Sequence, residues 1–423
     1  MSDNTRKIRV LISGNKSFER LLRQALGDEK PPMKPGKKGP ILAIAKTDQG
    51  RVDLLAHANP KIRALMGARI GIRSWPLHQK RVQGIMAQAK AAGGLIPVAL
   101  KYMGAHTGRW AGGEGINLHN LGARSAEPLV NQVRELLIAP PEHTLVITDA
   151  SQIEARVLAW IAGQWDLIER FANSEPIYCQ FASEVVGVPV RKATKDDPPD
   201  VAKTMTRYRN LGKVGILGAG YGMGPGRCLD YARDVYHVDI DADMAEKLIK
   251  HYRSANPKIT QFWRDLEARF KFVTRYPNET QKLDRGLTLW REGDTTIITL
   301  PCGRNLRYPG AGFRMEAGYE ELGWPNPLTK SWTRAWGGFL TENIVQAMSR
   351  DILAEAILLS EDRGKQIGLR IGHHVHDEMI GVVGNEHGPA ALDIQLEALR
   401  VRPEWAPDCP LDAEGFLTQK YGK

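Results

Sequence analysis

Apolar residues divide the chain into segments before any chemistry is considered. Between residues 10 and 27, Phe18, Leu21, Leu22, Ala25 and Leu26 follow a polar cap region at helical spacing, and the predicted helix ends at Gly27. Residues 28–40 (DEKPPMKPGKKGP) lose that period and read as a Pro-, Gly- and Lys-rich linker. Helical spacing returns over 49–73, interrupted near Pro60, and 93–121 is rich in Gly and polar residues with few periodic apolars. From 144 onward strand and helix alternate. An apolar strand at 145–148 leads into a helix with Ile153, Val157 and Ile161 on one face and Gly163 as its stop. Residues 191–200 form a charged loop, 201–272 are mostly helical, and 295–309 is a hairpin. A long helix covers 338–360, and 367–383 is a second hairpin, rich in β-branched residues on both arms. There is no internal repeat or low-complexity segment.

The 423 residues suffice for one large multi-lobed domain or two to three smaller ones, and 42% hydrophobic content is ample for a core. No apolar run reaches the ~18 residues that a membrane span needs. The start, MSDNTRKIRV, has no apolar core of a secretory signal. Four scattered cysteines without a C-x-x-C pair argue against a disulfide framework or zinc ribbon and fit a reducing cytoplasm. A net charge of +10 favours a polyanionic partner such as nucleic acid. Residues 1–40 hold ten Lys/Arg against four Asp/Glu, so much of that charge sits in a basic arm, either solvated or in contact with phosphates.

Three stretches carry candidate chemistry. His376-Asp377-Glu378 places acids at the tip of the second hairpin, where they could be simple turn formers. Asp149 stands at the C-terminal end of the 145–148 strand, a position suited to catalytic carboxylates. Next to it, Ser151-Gln152-Ile153-Glu154 reads as a capping box, which explains Glu154 and leaves Asp149 unexplained. Third, Arg209, Lys213, Leu217 and Tyr221 are spaced four apart. On a helix they drift ~40° per step and form one stripe roughly 18 Å long, fit either for a phosphate-bearing ligand or for a solvated basic face. Six nearby glycines (215, 218, 220, 222, 224 and 226) imply close approach of another backbone or a ligand. The stretch matches neither a Walker loop nor a GxGxxG fingerprint.

Order and spacing bring these pieces together. Asp149-Ala-Ser-Gln-Ile-Glu154-Ala-Arg156 resembles motif A of family A DNA polymerases, Arg209-x3-Lys213-x7-Tyr221-Gly222 resembles motif B, and His376-Asp377-Glu378 resembles motif C. Thr107-Gly108-Arg109 with Asn117-Leu118-His119-Asn120 is similar to the family's primer-template stretch, and Glu342–Gln346 to its template and minor-groove segment. The resemblance runs from about residue 15 to the end. It implies an α+β right-hand fold with an antiparallel palm sheet, helical fingers and a reduced thumb. The corresponding regions are 1–92 (thumb and basic arm), 93–163 (palm), 164–290 (fingers) and 291–423 (palm again).

The resemblance also implies roles. Asp149 and Asp377 would hold two Mg²⁺ ions, with Mn²⁺ as a substitute, and activate the primer 3′-hydroxyl while neutralising pyrophosphate. Glu378 would act beside them, and His376 would touch the primer end or position Asp377. Lys213 and Arg209 would grip the triphosphate, with Lys213 catalytic. Tyr221 would sit by the templating base, Glu154 would crowd the sugar 2′ position, and Gln152 and Leu217 would complete the nucleotide pocket. Arg109, Asn117, His119, Asn120, Gln346 and Arg73 would contact DNA. Partners are then a primed DNA template and dNTPs, in the cytoplasm, a phage host's if the source is a phage. The match departs at Leu217 and Ala150, where the family usually carries aromatics. No exonuclease motifs precede the polymerase motifs and one long thumb helix is missing. This leads to the expectation of no proofreading and of a separate exonuclease or processivity chain. Two alternatives remain: a single-subunit RNA polymerase or primase-like enzyme, and an inactive DNA-binding accessory protein. Glu154 and the His-Asp-Glu form of motif C argue against the first. The intact Asp149, Asp377, Arg209 and Lys213 argue against the second.

Overall fold

Phe18, Leu22 and Leu26 recur every four residues and lie buried on one helix face that ends at Gly27. A computed structural model of the protein describes residues 3–36, 39–45, 48–113, 117–121, 128–327 and 329–422. The chain divides into two units, Met1–Pro97 and Val98–Lys423.

The first unit holds α1 (Asp3–Ser13), α2 (Asn15–Leu26), the antiparallel pair β1 (Met33–Lys34) and β2 (Ile41–Leu42), α3 (Gln49–Leu55) and α4 (Pro60–Ala91). The spacing over 10–27 predicts one helix, but there are two. Gly14 is extended (φ −72°, ψ 142°), and the Ser17 hydroxyl donates to the Leu11 carbonyl at 2.7 Å, serving the frayed end of α1. Arg69 fastens this joint. Its buried guanidinium donates to the carbonyls of Ile12 and Gly14 and to Asn15 Oδ1, and stacks on Phe18 at 4.8 Å. Pro60 starts a helix rather than interrupting one. Asn59 caps the Lys61 amide at 3.0 Å, and α4 continues through Pro76, well past residue 73.

The second unit opens with the pair β3 (Leu100–Lys101) and β4 (Ala111–Gly112), a turn of 3₁₀ helix (Leu118–Asn120) and the single turn α5 (Pro128–Asn131). Strand β5 (His143–Ala150) leads into α6 (Ile153–Ala162), α7 (Trp165–Ala172), α8 (Ile177–Val186), α9 (Pro199–Lys213), α10 (Pro225–Tyr236), α11 (Ala242–Ala255) and α12 (Pro257–Arg275). The expected hairpin at 295–309 forms one end of a sheet of β6 (Gln281–Lys282), β7 (Thr288–Glu292), β8 (Thr295–Thr299) and β9 (Asn305–Pro309). A further sheet of β10 (Gly312–Glu316), β11 (Tyr319–Pro325) and β12 (Trp332–Arg334) follows, its strands too polar to stand out in the sequence. The chain closes with α13 (Gly337–Gly364), the hairpin β13 (Arg370–Val375) and β14 (Glu378–Gly384), α14 (Gly388–Arg400) and β15 (Ala413–Thr418).

The central sheet has the order β13–β14–β5–β15, with every pair antiparallel. Both faces of β5 are covered, which explains its unbroken apolar run. Leu145 and Ile147 pack with Val375, Ile380 and Tyr421. Val146, pointing the other way, packs with Leu369, Val383 and Ala391. Beside it, the Thr148 hydroxyl donates to Gln395 of α14 at 2.9 Å.

The helix predicted through Tyr221 is not continuous. After Lys213 the chain makes a π-helical turn, Val214–Gly218, and Tyr221 lies in the turn beyond. The four-residue stripe is therefore broken between Lys213 and Tyr221, because a π turn takes more than 3.6 residues. The glycines do mark close approach, to the protein's own chain. A Cβ on Gly215 would lie 2.1 Å from the Phe181 ring, and one on Gly218 would lie 2.4 Å from Met223, whereas Gly224 and Gly226 face open space. Gly215→Ala is expected to cost about 1–3 kcal/mol by overpacking. Urea denaturation checks this, and an unchanged midpoint would show that Phe181 can yield.

Candidate active site

The register of the central sheet assembles the acids. Glu378 on β14 and Glu414 on β15 both pair with Asp149 on β5. Asp377 lies in the tip just before β14, and its carbonyl accepts the Ala150 amide at 2.9 Å, so the tip is tied to the end of β5. His376 makes the turn with a left-handed φ of 55°. The Asp377 carboxyl is pushed up to about 7, first by desolvation and then by the charge of Asp149, with Glu154 adding and Arg109 opposing. Two carboxylates from distant parts of the sequence thus share one field.

Glu378 is held differently. It is buried, its carboxylate accepts the Tyr421 hydroxyl at 2.6 Å, and Arg134 lies 3.8 Å away, stacked on the Tyr421 ring. It stands next to the Asp pair as an anchored group.

Glu154 does not form the expected capping box. Helix α6 starts at Ile153, its cap residue Gln152 is left-handed (φ 55°), and no side chain caps it. The Ser151 amide donates instead to the Asp412 carbonyl at 2.9 Å. The Glu154 carboxylate faces across the site, where it pairs with Arg109 and accepts the Tyr221 hydroxyl at 2.9 Å. A guanidinium and a phenol give it stronger partners than a backbone amide. Burial, and then the Glu154 charge, hold the Tyr221 phenol well above its usual range, so it stays a donor. Glu342 of α13 lies in the same field: its carboxyl is raised by burial and by Glu154 while Arg109 opposes. Gln346, one turn on, donates to Glu342 at 2.9 Å.

Lys213 ends α9, half-buried. Arg209, one turn earlier, lies 5.8 Å from the Tyr178 ring. Leu217 packs on the main core from within the π turn. Asn117 caps the 3₁₀ turn by accepting the His119 amide at 3.1 Å. His119 is buried, with its ring centroid 5.4 Å from His373 and 5.5 Å from His376. The Asn120 side chain lies outside the described residues. Arg73 belongs to the first unit, exposed and 3.3 Å from Asn15, and is not among the groups brought together here.

Several groups that hold the site were not nominated from the sequence: Tyr421, Arg134, and Arg156 as an anchor. Arg156 is buried and donates to the carbonyls of Ser151 and Pro410 at 2.8 and 2.7 Å, fixing the turn after Asp149. A charged residue inside the apolar run of α6 was the available signal. Among the described residues, no group of three or more His, Cys, Asp or Glu is placed to hold a metal, and no helix is long and apolar enough to cross a membrane. The Asp149/Asp377 pair offers hard oxygen donors in one another's field. That suits a cation such as Mg²⁺, which takes its remaining ligands from water and substrate phosphates.

The family model described as DNA polymerase family A matches residues 5–279. The DNA polymerase of Bacillus phage SP02 is 34% identical over 298 residues, covering 69% of this chain and 43% of that protein. The thermostable DNA polymerase I of Thermus thermophilus is 25% identical over 305 residues, covering 72% of this chain and 30% of the relative. The chain thus spans less than half the length of these relatives. The solved POL domain of Pol1 from M. smegmatis superposes with a TM-score of 0.66 at 19% identity, covering 97% of this chain and 61% of that one, and so shares its fold.

The Asp377 shift sets a pH dependence. Folding raises this carboxyl from 3.8 to about 7, so the folded state holds a proton that the unfolded chain has released. Stability of the metal-free protein should therefore fall as pH rises through that window. Asp377→Asn is expected to flatten the slope in urea melts between pH 4 and pH 7. An unchanged slope would place the titration elsewhere.

Proposed function

Because the chain belongs to DNA polymerase family A, we propose that it is a DNA-templated DNA polymerase, adding deoxynucleotides to a primer 3′-hydroxyl. The observation that carries this reading is the carboxylate pair, with the Asp377 tip bonded to the end of the Asp149 strand. The solved relative holds a DNA primer-template and dNTP, and we assign the same ligands to this chain. In this reading the central sheet is the palm, the helices α8 to α11 are fingers and the first unit is a reduced thumb.

Asp149 and Asp377 would hold divalent cations, for which Mg²⁺ fits the donor set. Bound there, such ions supply Lewis-acid activation of the 3′-hydroxyl and neutralise the leaving pyrophosphate. The chain's own side chains do the rest. Lys213 and Arg209 bind the triphosphate through charge-assisted hydrogen bonds. Tyr221 and Glu154, bonded to each other, form the wall against which the sugar is selected. A ribose 2′-hydroxyl would have to displace that contact, which is discrimination by exclusion. Arg109 and Gln346 meet the duplex through minor-groove acceptors that are alike across base pairs, as copying any sequence requires. Glu378, anchored by Tyr421, supports the strand that presents Asp377.

Primer extension on a primed DNA template with Mg²⁺, with dNTPs and rNTPs in parallel, tests the proposal. Extension with dNTPs is expected, with Asp377→Ala abolishing it. Glu154→Ala should raise rNTP use by about 10-fold or more. Robust rNTP extension by the unmodified protein would move the enzyme to RNA synthesis. Extension that survives Asp377→Ala would remove the carboxylate pair from the mechanism.

A further inference from the structure

Arg109 hangs from a tight turn. The Gly108 amide donates to the Ala105 carbonyl at 2.9 Å, and the Ala105 amide to the Arg109 carbonyl at 3.0 Å. A set of side chains with no part in the proposed chemistry grips this turn. Arg304, from the loop between β8 and β9, donates to the Thr107 carbonyl at 3.1 Å and to the Ala347 carbonyl of α13 at 3.0 Å. Its Nε lies 3.1 and 3.0 Å from the two carboxylate oxygens of Asp351. Asp351 is buried and also accepts Arg350 at 3.0 Å and the Cys302 thiol at 3.2 Å. Arg350 in turn stacks on Trp110 at 4.2 Å and Tyr102 at 5.0 Å, on either side of the turn in sequence.

Gly108 completes the grip. Its φ is +86°, and a Cβ there would stand 2.7 Å from Arg304 Nη1. The guanidinium therefore lies directly on the turn, in space that only glycine leaves. A buried ion pair is a poor source of stability, since desolvation offsets much of its attraction. What this one does have is geometry. The planar fork of Arg304 reaches Asp351, the α13 backbone and the turn at once, which a lysine cannot do.

We propose that the Arg304–Asp351 pair is a positioning device for Arg109, locking the 105–109 turn to α13 so that the guanidinium is held against Glu154. Helix α13 thereby carries both Glu342, which feels the Arg109 charge, and, further along, the anchor of the turn from which Arg109 projects. The inference rests on the polymerase reading for the roles of Arg109 and Glu154, but not for the coupling itself.

A double-mutant cycle tests it. Single-nucleotide incorporation would be measured for Arg109→Ala, Arg304→Lys and the double variant, with dNTP and rNTP. Arg304→Lys should slow incorporation by about 10- to 100-fold through misplacement of Arg109. Apparent dNTP affinity should change little, while dNTP-over-rNTP preference falls. The double variant should be no slower than Arg109→Ala alone. Losses that multiply would overturn the proposal, as would an Arg304→Lys variant with normal rate and selectivity. If Arg304→Lys does not fold, Gly108→Ala, which disturbs the contact from the turn's side, takes its place in the cycle. The same cycle read as primer-template binding by fluorescence anisotropy needs no turnover. An unmodified protein that binds but never extends would sink the polymerase reading, and the binding cycle would still decide the coupling.

Discussion

Two like charges, Asp149 and Asp377, are held close by a sheet that gives them no alternative. The β5–β14 register pairs Asp149 with Glu378, and the Ala150 amide bonds the Asp377 carbonyl, so neither strand can slip without breaking the ladder. A one-residue slip would also turn Leu145 and Ile147 out of one core and Val146 out of the other. Packing on both faces of β5 thus supports a repulsion that would otherwise separate the acids. The raised carboxyl of Asp377 is the local sign of it.

The acids around this pair are drawn toward donors of their own. Glu378 is adjacent in sequence and opposite Asp149 in register, yet Tyr421 and Arg134 absorb its charge. Glu154 is absorbed by Arg109 and Tyr221. For both Glu378 and Glu154 the donors come from distant segments. The buried Arg156 does the same for main-chain carbonyls at the turn after Asp149.

What could be read in the sequence follows from this division. Asp149, Lys213 and Asp377 stand in short contiguous motifs at element ends, and the periodicity of the flanking strands and helices placed those ends closely. The donors Tyr421, Arg134 and Arg304 and the acceptor Asp351 were not legible, since each acts across a long stretch of chain and carries no local pattern. Glu154 shows the opposite failure. Ser151 through Glu154 has the spacing of a capping box, but Arg109 and a protonated Tyr221 compete for the same carboxylate and win. The stripe from Arg209 to Tyr221 failed for a backbone reason. The glycines that let α9 and its π turn press against Phe181 also allow the turn to widen.

Helix α13 resolves an otherwise awkward requirement. Arg109 must be fixed with respect to Glu154, yet it sits on a turn in a Gly-rich segment with little regular structure of its own. A long buried helix is the most rigid reference available, and α13 supplies it twice, through Glu342 beside the guanidinium and through Asp351 behind the turn. Gly108 is what allows the second contact, because any side chain there would meet Arg304. The lack of periodicity around the 105–109 turn is therefore no guide to how firmly that turn is held. The placement of that turn is borrowed from a helix more than two hundred residues away.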